Sequence, residues 1–307
     1  MTADVTVGLP VYNGSRTLRR TLDALLAQTH TSFELVVSDN ASTDDTRDIL
    51  AQYAARDRRL RVIHQERNLG AIANLHAVLE AATTTMFTWF GADDLCAPTF
   101  LERTRAALLA CPTAIIATAD VCLIDERDVP KRTHEQPHTV GLDAAQRMHR
   151  HFATYGWYAS YGVARREQLL AFGPFERRFG PDVIRTAQWM LTGDVVRVPE
   201  VLFLFRERTG GKDAATYADL LDPGGKPAVS QPHSEMLGGV GAAIRRSALD
   251  AATAREASAA AARAIAFENA LFLGQVLREQ AVSFDDMDDH GRLSLIRRLL
   301  ASEDSAR

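Results

Sequence analysis

The chain of 307 residues is 46% apolar and 24% charged, the balance of an ordinary soluble globular protein with enough length for one large core or two smaller ones. Its 35 basic and 39 acidic residues leave a net charge of −4, which offers no general polyanion-binding surface and argues against nucleic acid as a partner. No apolar run is long enough for a spanning helix, the opening MTADVTVGLP lacks the basic and apolar regions of a signal peptide, and Cys96, Cys111 and Cys122 form no CxxC pair; a cytoplasmic setting with reduced thiols is expected, with peripheral membrane association left open.

In chain order, VTVGLPVY (5–12) reads as a strand, 15–28 as a helix, FELVVSD (33–39) as a strand and 43–57 as a helix. LRVIHQ (60–65) is then a strand, 71–83 a helix, MFTWF (86–90) a strand, 99–110 a helix and AIIATADV (114–121) a strand. Continuous apolar strands alternating with amphipathic helices predict an α/β fold, a mostly parallel sheet flanked by helices. The polar stretch 125–140 reads as a loop, 182–192 as a helix and 194–205 as a strand. The Gly/Pro-rich 209–239 reads as a flexible loop or lid, and 240–307 as a helical C-terminal extension whose helices are candidates for a homo-oligomer contact. There is no internal repeat.

Parallel sheets bind ligands where strands end at their carboxyl termini. Asp39 falls at such an end, and so does the adjacent pair Asp93–Asp94 in MFTWFGADDLCAPTF. Two neighbouring carboxylates repel unless a cation or water relieves them. The plain alternatives are a solvated turn for the pair and, for Asp39, a turn with Thr43 or Asp44 capping the next helix.

Three segments together resemble family 2 glycosyltransferases. VTVGLPVYNGSRTLRRTLDALLAQTHTSFELVVSDNASTDDT is similar to the family's opening, WFGADD sits where the family keeps its metal-binding DxD, and FGPDVIRTAQWMLTGDVVRVPEVLFLFR resembles its acceptor half. The likeness covers roughly 1–210 and implies a GT-A type domain over 1–208, with a nucleotide-sugar half at about 1–122 and an acceptor half at about 123–208. The implied activity is transfer of a sugar, with inversion, from a nucleotide-diphosphate donor (UDP or dTDP favoured) to a sugar, lipid-linked or small-molecule hydroxyl.

A divalent cation, Mg²⁺ or Mn²⁺, would neutralise the diphosphate leaving group, and the resemblance gives its binding to Asp93. The same resemblance assigns nucleotide-sugar binding to Pro10, Tyr12, Asn13, Asp39, Asn68, Asp94 and Arg206. Asp39 would accept from the N3–H of uracil or thymine. Where the family has a further acid, this chain has Gly91, so one carboxylate fewer faces the metal. Asp182 matches the family's general base, against the alternative of an acid that merely suits a helix start behind Pro181.

Trp157 and Tyr158 are candidates for an acceptor platform or for core. Arg208 and Lys212 are further candidates for phosphate binding. GGVGAAIRR (238–246) fails as a dinucleotide motif because no strand precedes it, and His134 and His138 lack the partners a zinc site needs. A non-catalytic nucleotide-sugar-binding protein and a nucleotidyltransferase are the rival readings.

Overall fold

The computed structural model describes residues 3–154, 156–207 and 230–302. Its sheet runs β3(Leu60–His64), β2(Phe33–Asp39), β1(Val5–Val11), β4(Met86–Trp89), β8(Val163–Arg165), β6(Ala114–Ile124), β9(Asp194–Arg206), β5(Leu95–Cys96), with β7(Pro130–His134) paired to β6 outside this path. The pairs β1–β2, β1–β4 and β2–β3 are parallel, as expected for the first half. Beyond β4 the sheet becomes mixed: β8 is antiparallel to both β4 and β6, while β6 and β9 run parallel.

Period-two alternation splits the core between the two faces of this sheet. Leu35 and Val37 of β2 pack with α1(Leu18–Leu26), α2(Thr46–Ala54) and α4(Phe100–Ala110), through Leu22, Leu50 and Phe100 among others. Val36 points the other way, to α3(Ala71–Ala81), α5(Ala144–Ala153) and α7(Pro181–Thr192). The C-terminal helices Pro232–Arg246, Ala251–Arg263, Ala270–Glu279 and Asp289–Ala301 join that second core through Met236, Ala257, Leu273 and Ile296.

Three segments differ from the expectation. β7 lies within the stretch expected to be a loop: PKRTH is exposed as far as Thr133, with only His134 half-buried, so it carries no apolar signal, and its proline is the first residue of the strand, where no ladder donor is needed. β5 is only two residues long, too short for periodicity to show. The helix Pro232–Arg246 begins inside the expected 209–239 loop and buries two of the glycines that suggested one, Gly238 and Gly239, with Gly241 just beyond them. The remainder of that call, 209–229, lies outside the described residues, as do Arg208 and Lys212.

Gly241 shows why glycine stands there. A Cβ on it would lie 1.7 Å from the carbonyl oxygen of Leu300, so the helices Pro232–Arg246 and Asp289–Ala301 cross with backbone against backbone. Gly241→Ala is therefore expected to force the last helix away and to lower stability by about 1–3 kcal/mol. A thermal melt checks this, and an unchanged melting temperature would mean that the crossing is not formed.

Candidate active site

The site begins with two loops that fasten to one another. After β1 the chain turns through Asn13 with φ of 50°, a left-handed conformation that asparagine tolerates. The Asn13 amide donates to Ser42 Oγ at 2.9 Å, and its side-chain oxygen accepts from the Thr43 amide at 2.8 Å. The Gly14 amide donates to Thr46 Oγ1 at 2.9 Å and the Ser15 amide to Asp44 Oδ2 at 3.1 Å. Asp44 is desolvated, which would raise its value, but the bonds from Thr46 and Ser15 outweigh this and hold it down to about 2. Pro10 is half-buried beneath this turn, while the Tyr12 ring is 44% exposed above it.

Asp39 ends β2, wholly buried. Its Oδ1 accepts from the Ser42 amide at 3.0 Å, and its Oδ2 from Arg47 Nε at 2.8 Å, with His64 Nδ1 at 3.3 Å. Burial works to raise the carboxyl; the bonds from Ser42, Arg47 and His64 prevail and keep it below the ordinary carboxylate range. Arg47 and His64 are themselves half exposed. Asn68 is exposed, and its Oδ1 accepts from Asn40 Nδ2 at 2.8 Å and from the Gly70 amide at 2.9 Å, tying the loop after β3 to the end of β2.

The third loop carries the aspartate pair. Thr17 Oγ1 donates to Ala92 O at 3.0 Å and Thr21 Oγ1 to Asp94 O at 2.9 Å, so α1 fixes the turn after β4 beside the turn after β1. Asp94 is buried, and its Oδ1 accepts from the Arg206 amide at 2.8 Å. Arg206 Nε donates to Asp93 O at 2.7 Å, Nη1 to Asp125 O at 2.6 Å, and Nη2 pairs with Asp128. The Arg206 side chain is 1% exposed. Its guanidinium therefore positions the aspartate turn.

Asp93 is half-buried at the same turn. A Cβ on Gly91 would lie 2.4 Å from Asp94 Oδ2 and 3.3 Å from Asp93 Oδ1, so the missing acid corresponds to space the pair itself occupies. Among the described residues no group of three or more His, Cys, Asp or Glu is arranged to hold a metal.

Asp182 lies elsewhere, in the first turn of α7 behind Gly180, and accepts from the Val183 amide at 3.0 Å. It lines a cavity of about 190 Å³ together with His151, Phe152, Trp157, Phe179, His233 and Phe272. Burial raises its carboxyl above the ordinary value, against the lowering effect of the Val183 amide. Trp157 connects the two regions. It stacks on Tyr158 at 3.7 Å and meets Phe205, the residue before Arg206, edge-on at 5.7 Å. Tyr158 itself is core.

The structure thus brings Pro10, Tyr12, Asn13, Asp39, Asp93 and Asp94 to one end of the sheet, with Asn68 and Arg206 as braces. His134 and His138 do not pair: the His134 ring lies 5.4 Å from that of Tyr158, and His138 Nδ1 accepts from the Arg197 amide at 3.2 Å. Arg47, His64, Asp128, His151 and His233 escaped the sequence reading. Only His64 carried a usable signal, since it closes a parallel strand at the end where ligands collect.

The sequence profile described as Glycosyl transferase family 2 matches residues 6–165, more than half of the chain. The chain belongs to glycosyl transferase family 2. Its relatives include TuaG of Bacillus subtilis, named as a glycosyltransferase of teichuronic acid biosynthesis, which is 37% identical over 90 residues, 29% of this chain and 36% of TuaG. EpsJ of the same organism, an uncharacterised glycosyltransferase, is 24% identical over 230 residues, 71% of this chain and 65% of that protein. The chain thus spans little more than a third of TuaG and under two thirds of EpsJ.

In fold this family 2 member is similar to Staphylococcus aureus TarS 1–349 in complex with UDP, with a TM-score of 0.67 at 16% identity over 97% of this chain and 90% of TarS 1–349. It is also similar to a Pyrobaculum calidifontis mannosyltransferase in complex with GDP-Man and Mn²⁺, with a TM-score of 0.57 at 18% identity over 98% and 85% of the two chains. Both likenesses establish the fold, a GT-A type sheet with helices behind it.

Gly91→Asp would restore the family's usual acid, yet its Cβ would collide with the carboxylate that holds Arg206. The expected result is a loss of about 1–3 kcal/mol in stability with no gain in Mn²⁺ affinity. Calorimetry of the variant with and without UDP checks this; tighter Mn²⁺ binding at unchanged stability would contradict it.

Proposed function

We propose that this protein transfers a sugar from a nucleotide-diphosphate donor to an acceptor hydroxyl with inversion at the anomeric carbon. The observation that supports it most directly is the convergence of the turns after β1, β2 and β4 at one end of the sheet in a chain of this family. The nucleotide base stands against the exposed Tyr12 ring, above the turn Pro10–Asn13. Asp39, ionised because its bonds hold its value down, accepts from the N3–H of uracil or thymine once the half-exposed Arg47 turns aside. Asn68 and Arg206 act behind this surface by fixing the loops that form it.

For the metal, the donor set is sparse. Asp94 is committed to the Arg206 amide, and Gly91 contributes nothing, so Asp93 supplies the protein carboxylate. Such a site fits Mg²⁺ or Mn²⁺ held mainly by the donor's phosphates and water. When bound, the ion would offset the charge that develops on the departing diphosphate.

At the other end, the acceptor hydroxyl lies against Asp182. Its proton passes to the Asp182 carboxylate, its oxygen bonds to the anomeric carbon from the face opposite the phosphate, and the nucleoside diphosphate leaves with the electron pair of the broken bond. A raised carboxyl suits a general base, because proton affinity is what it contributes. A non-catalytic binding protein would bind the donor without releasing nucleoside diphosphate, and a nucleotidyltransferase would release pyrophosphate instead.

Asp182→Asn tests the assignment. Transfer is expected to fall by about 10²–10⁴-fold while donor affinity holds. A carboxyl whose folded value lies above its unfolded one costs stability once ionised, and nothing where both states are protonated. The variant is therefore expected to melt higher than the parent at pH 7, with the gain vanishing below about pH 4. Retained turnover with lower stability would make Asp182 a helix-start residue only.

A further inference from the structure

The two carboxylate oxygens of Asp39 are held from different sides. Oδ1 accepts from the Ser42 amide, three residues on, and so belongs to the loop itself. Oδ2 carries the remaining contacts, Arg47 Nε at 2.8 Å and His64 Nδ1 at 3.3 Å. An ionised carboxylate only accepts, so Nδ1 of His64 carries a hydrogen, and the two donors fill the two lone pairs of that oxygen. The Asp39 side chain has no exposed surface, whereas those of Arg47 and His64 are half exposed. Solvent at this end of β2 therefore meets a guanidinium and an imidazole, with the carboxylate beneath them.

The two covers are not equally fixed. His64 is the last residue of β3 and lies in register with Asp39, whose carbonyl accepts from the Gln65 amide at 2.9 Å, so sheet bonds hold its backbone beside the carboxylate. Arg47 instead reaches Asp39 by a long side chain from the first turn of α2. Nε makes that bond, and the two terminal amino groups have no hydrogen-bond partner among the described residues. Half-exposed ion pairs of this kind contribute little net stability, so Arg47 is the cover that leaves at modest cost. With Arg47 over Asp39 the surface offers N–H donors. With Arg47 swung out it offers a carboxylate acceptor, and the two states select opposite hydrogen-bonding patterns.

We infer that Arg47 sets the base preference of the nucleotide site by competing with the base for Asp39 Oδ2. A pyrimidine whose N3 carries a hydrogen, as in uracil, reaches the carboxylate only by displacing the guanidinium, and its affinity is reduced by the cost of that displacement. A pyrimidine whose N3 is a bare lone pair, as in cytosine, is refused by the carboxylate and met only by the donors of Arg47. Arg47 thus narrows the margin between the two bases that Asp39 alone would impose. The same side chain explains how a buried carboxylate survives in the empty site, since a buried charge without a partner is costly. In placing the base beside Asp39 the inference rests on the sugar-transfer reading; the competition by Arg47 is what it adds.

The test is a calorimetric titration of the full chain with UDP and with CDP at fixed Mg²⁺, on the parent protein, Arg47→Met and Arg47→Lys. Arg47→Met keeps the apolar stem and removes the competitor. It is expected to bind UDP about three- to tenfold more tightly than the parent, a gain between the worth of an exposed ion pair and that of a charge-assisted hydrogen bond. CDP is expected to bind the variant no more tightly than the parent. Arg47→Lys, which restores a competing cation, is expected to return UDP affinity towards the parent value. If Arg47→Met does not fold, as judged by its melt, Arg47→Ala takes its place. UDP binding that is unchanged or weaker in the folded variant, or equal tightening of both nucleotides, would overturn the inference and leave the sugar-transfer reading standing. Binding of neither nucleotide by any of these proteins would overturn both.

Discussion

The guanidinium of Arg206 is a full charge held out of water, and the arrangement around it is what makes that tolerable. It sits at the last residue of β9, where it meets the carbonyl oxygens of Asp93 and Asp125 and the carboxylate of Asp128, which Arg20 of α1 also engages. The amide of the same residue holds Asp94. A buried cation without such partners would cost several kcal/mol, so the three chain segments are obliged to stay together. One residue thereby fixes the aspartate turn, the end of the longest strand and the turn at 125–128. The repulsion between Asp93 and Asp94 is eased in part by the same contacts.

From this point order passes along the sheet by aromatic packing. Phe203 and Phe205 precede Arg206 on β9; Phe203 meets Phe90 at 5.0 Å and stacks on Tyr161 at 5.0 Å, and Phe205 meets Trp157 and Tyr158. These rings form a continuous wall between the aspartate turn and the cavity of Asp182. The aspartate turn and the cavity of Asp182 are thus joined by side chains of one strand and one short 3₁₀ segment, Gly156–Tyr161.

Much of this was legible in the sequence because it follows from periodicity and strand ends. The alternation of β1 to β4 with their helices is written in apolar runs such as FELVVSD, and Asp39, Asp93 and Asp94 stand out as charges at the ends of such runs. What stayed hidden depends on distances across the fold. Arg206 reads as a phosphate ligand when only its neighbours Glu207 and Arg208 are in view; the partners that hold it, at 93–94 and 125–128, are far away in the chain. Gly91 reads as a lost ligand, whereas its lack of a side chain gives room to the Asp94 carboxylate. His151 and His233 are unremarkable histidines on two amphipathic helices, and only helix packing sets them in one cavity. The exposed strand β7 was lost for a simpler reason, that a polar edge strand has no apolar face to declare itself.

The dependence on Arg206 is tested most directly by hydrogen–deuterium exchange of Arg206→Met, which keeps the apolar stem and removes the charge. The account predicts faster exchange confined to the amides at 91–96 and 125–129, with the β1–β3 amides as protected as in the parent protein. Unchanged protection at 91–96 in the folded variant would contradict it, and the aspartate turn would then owe its geometry to something other than this buried cation.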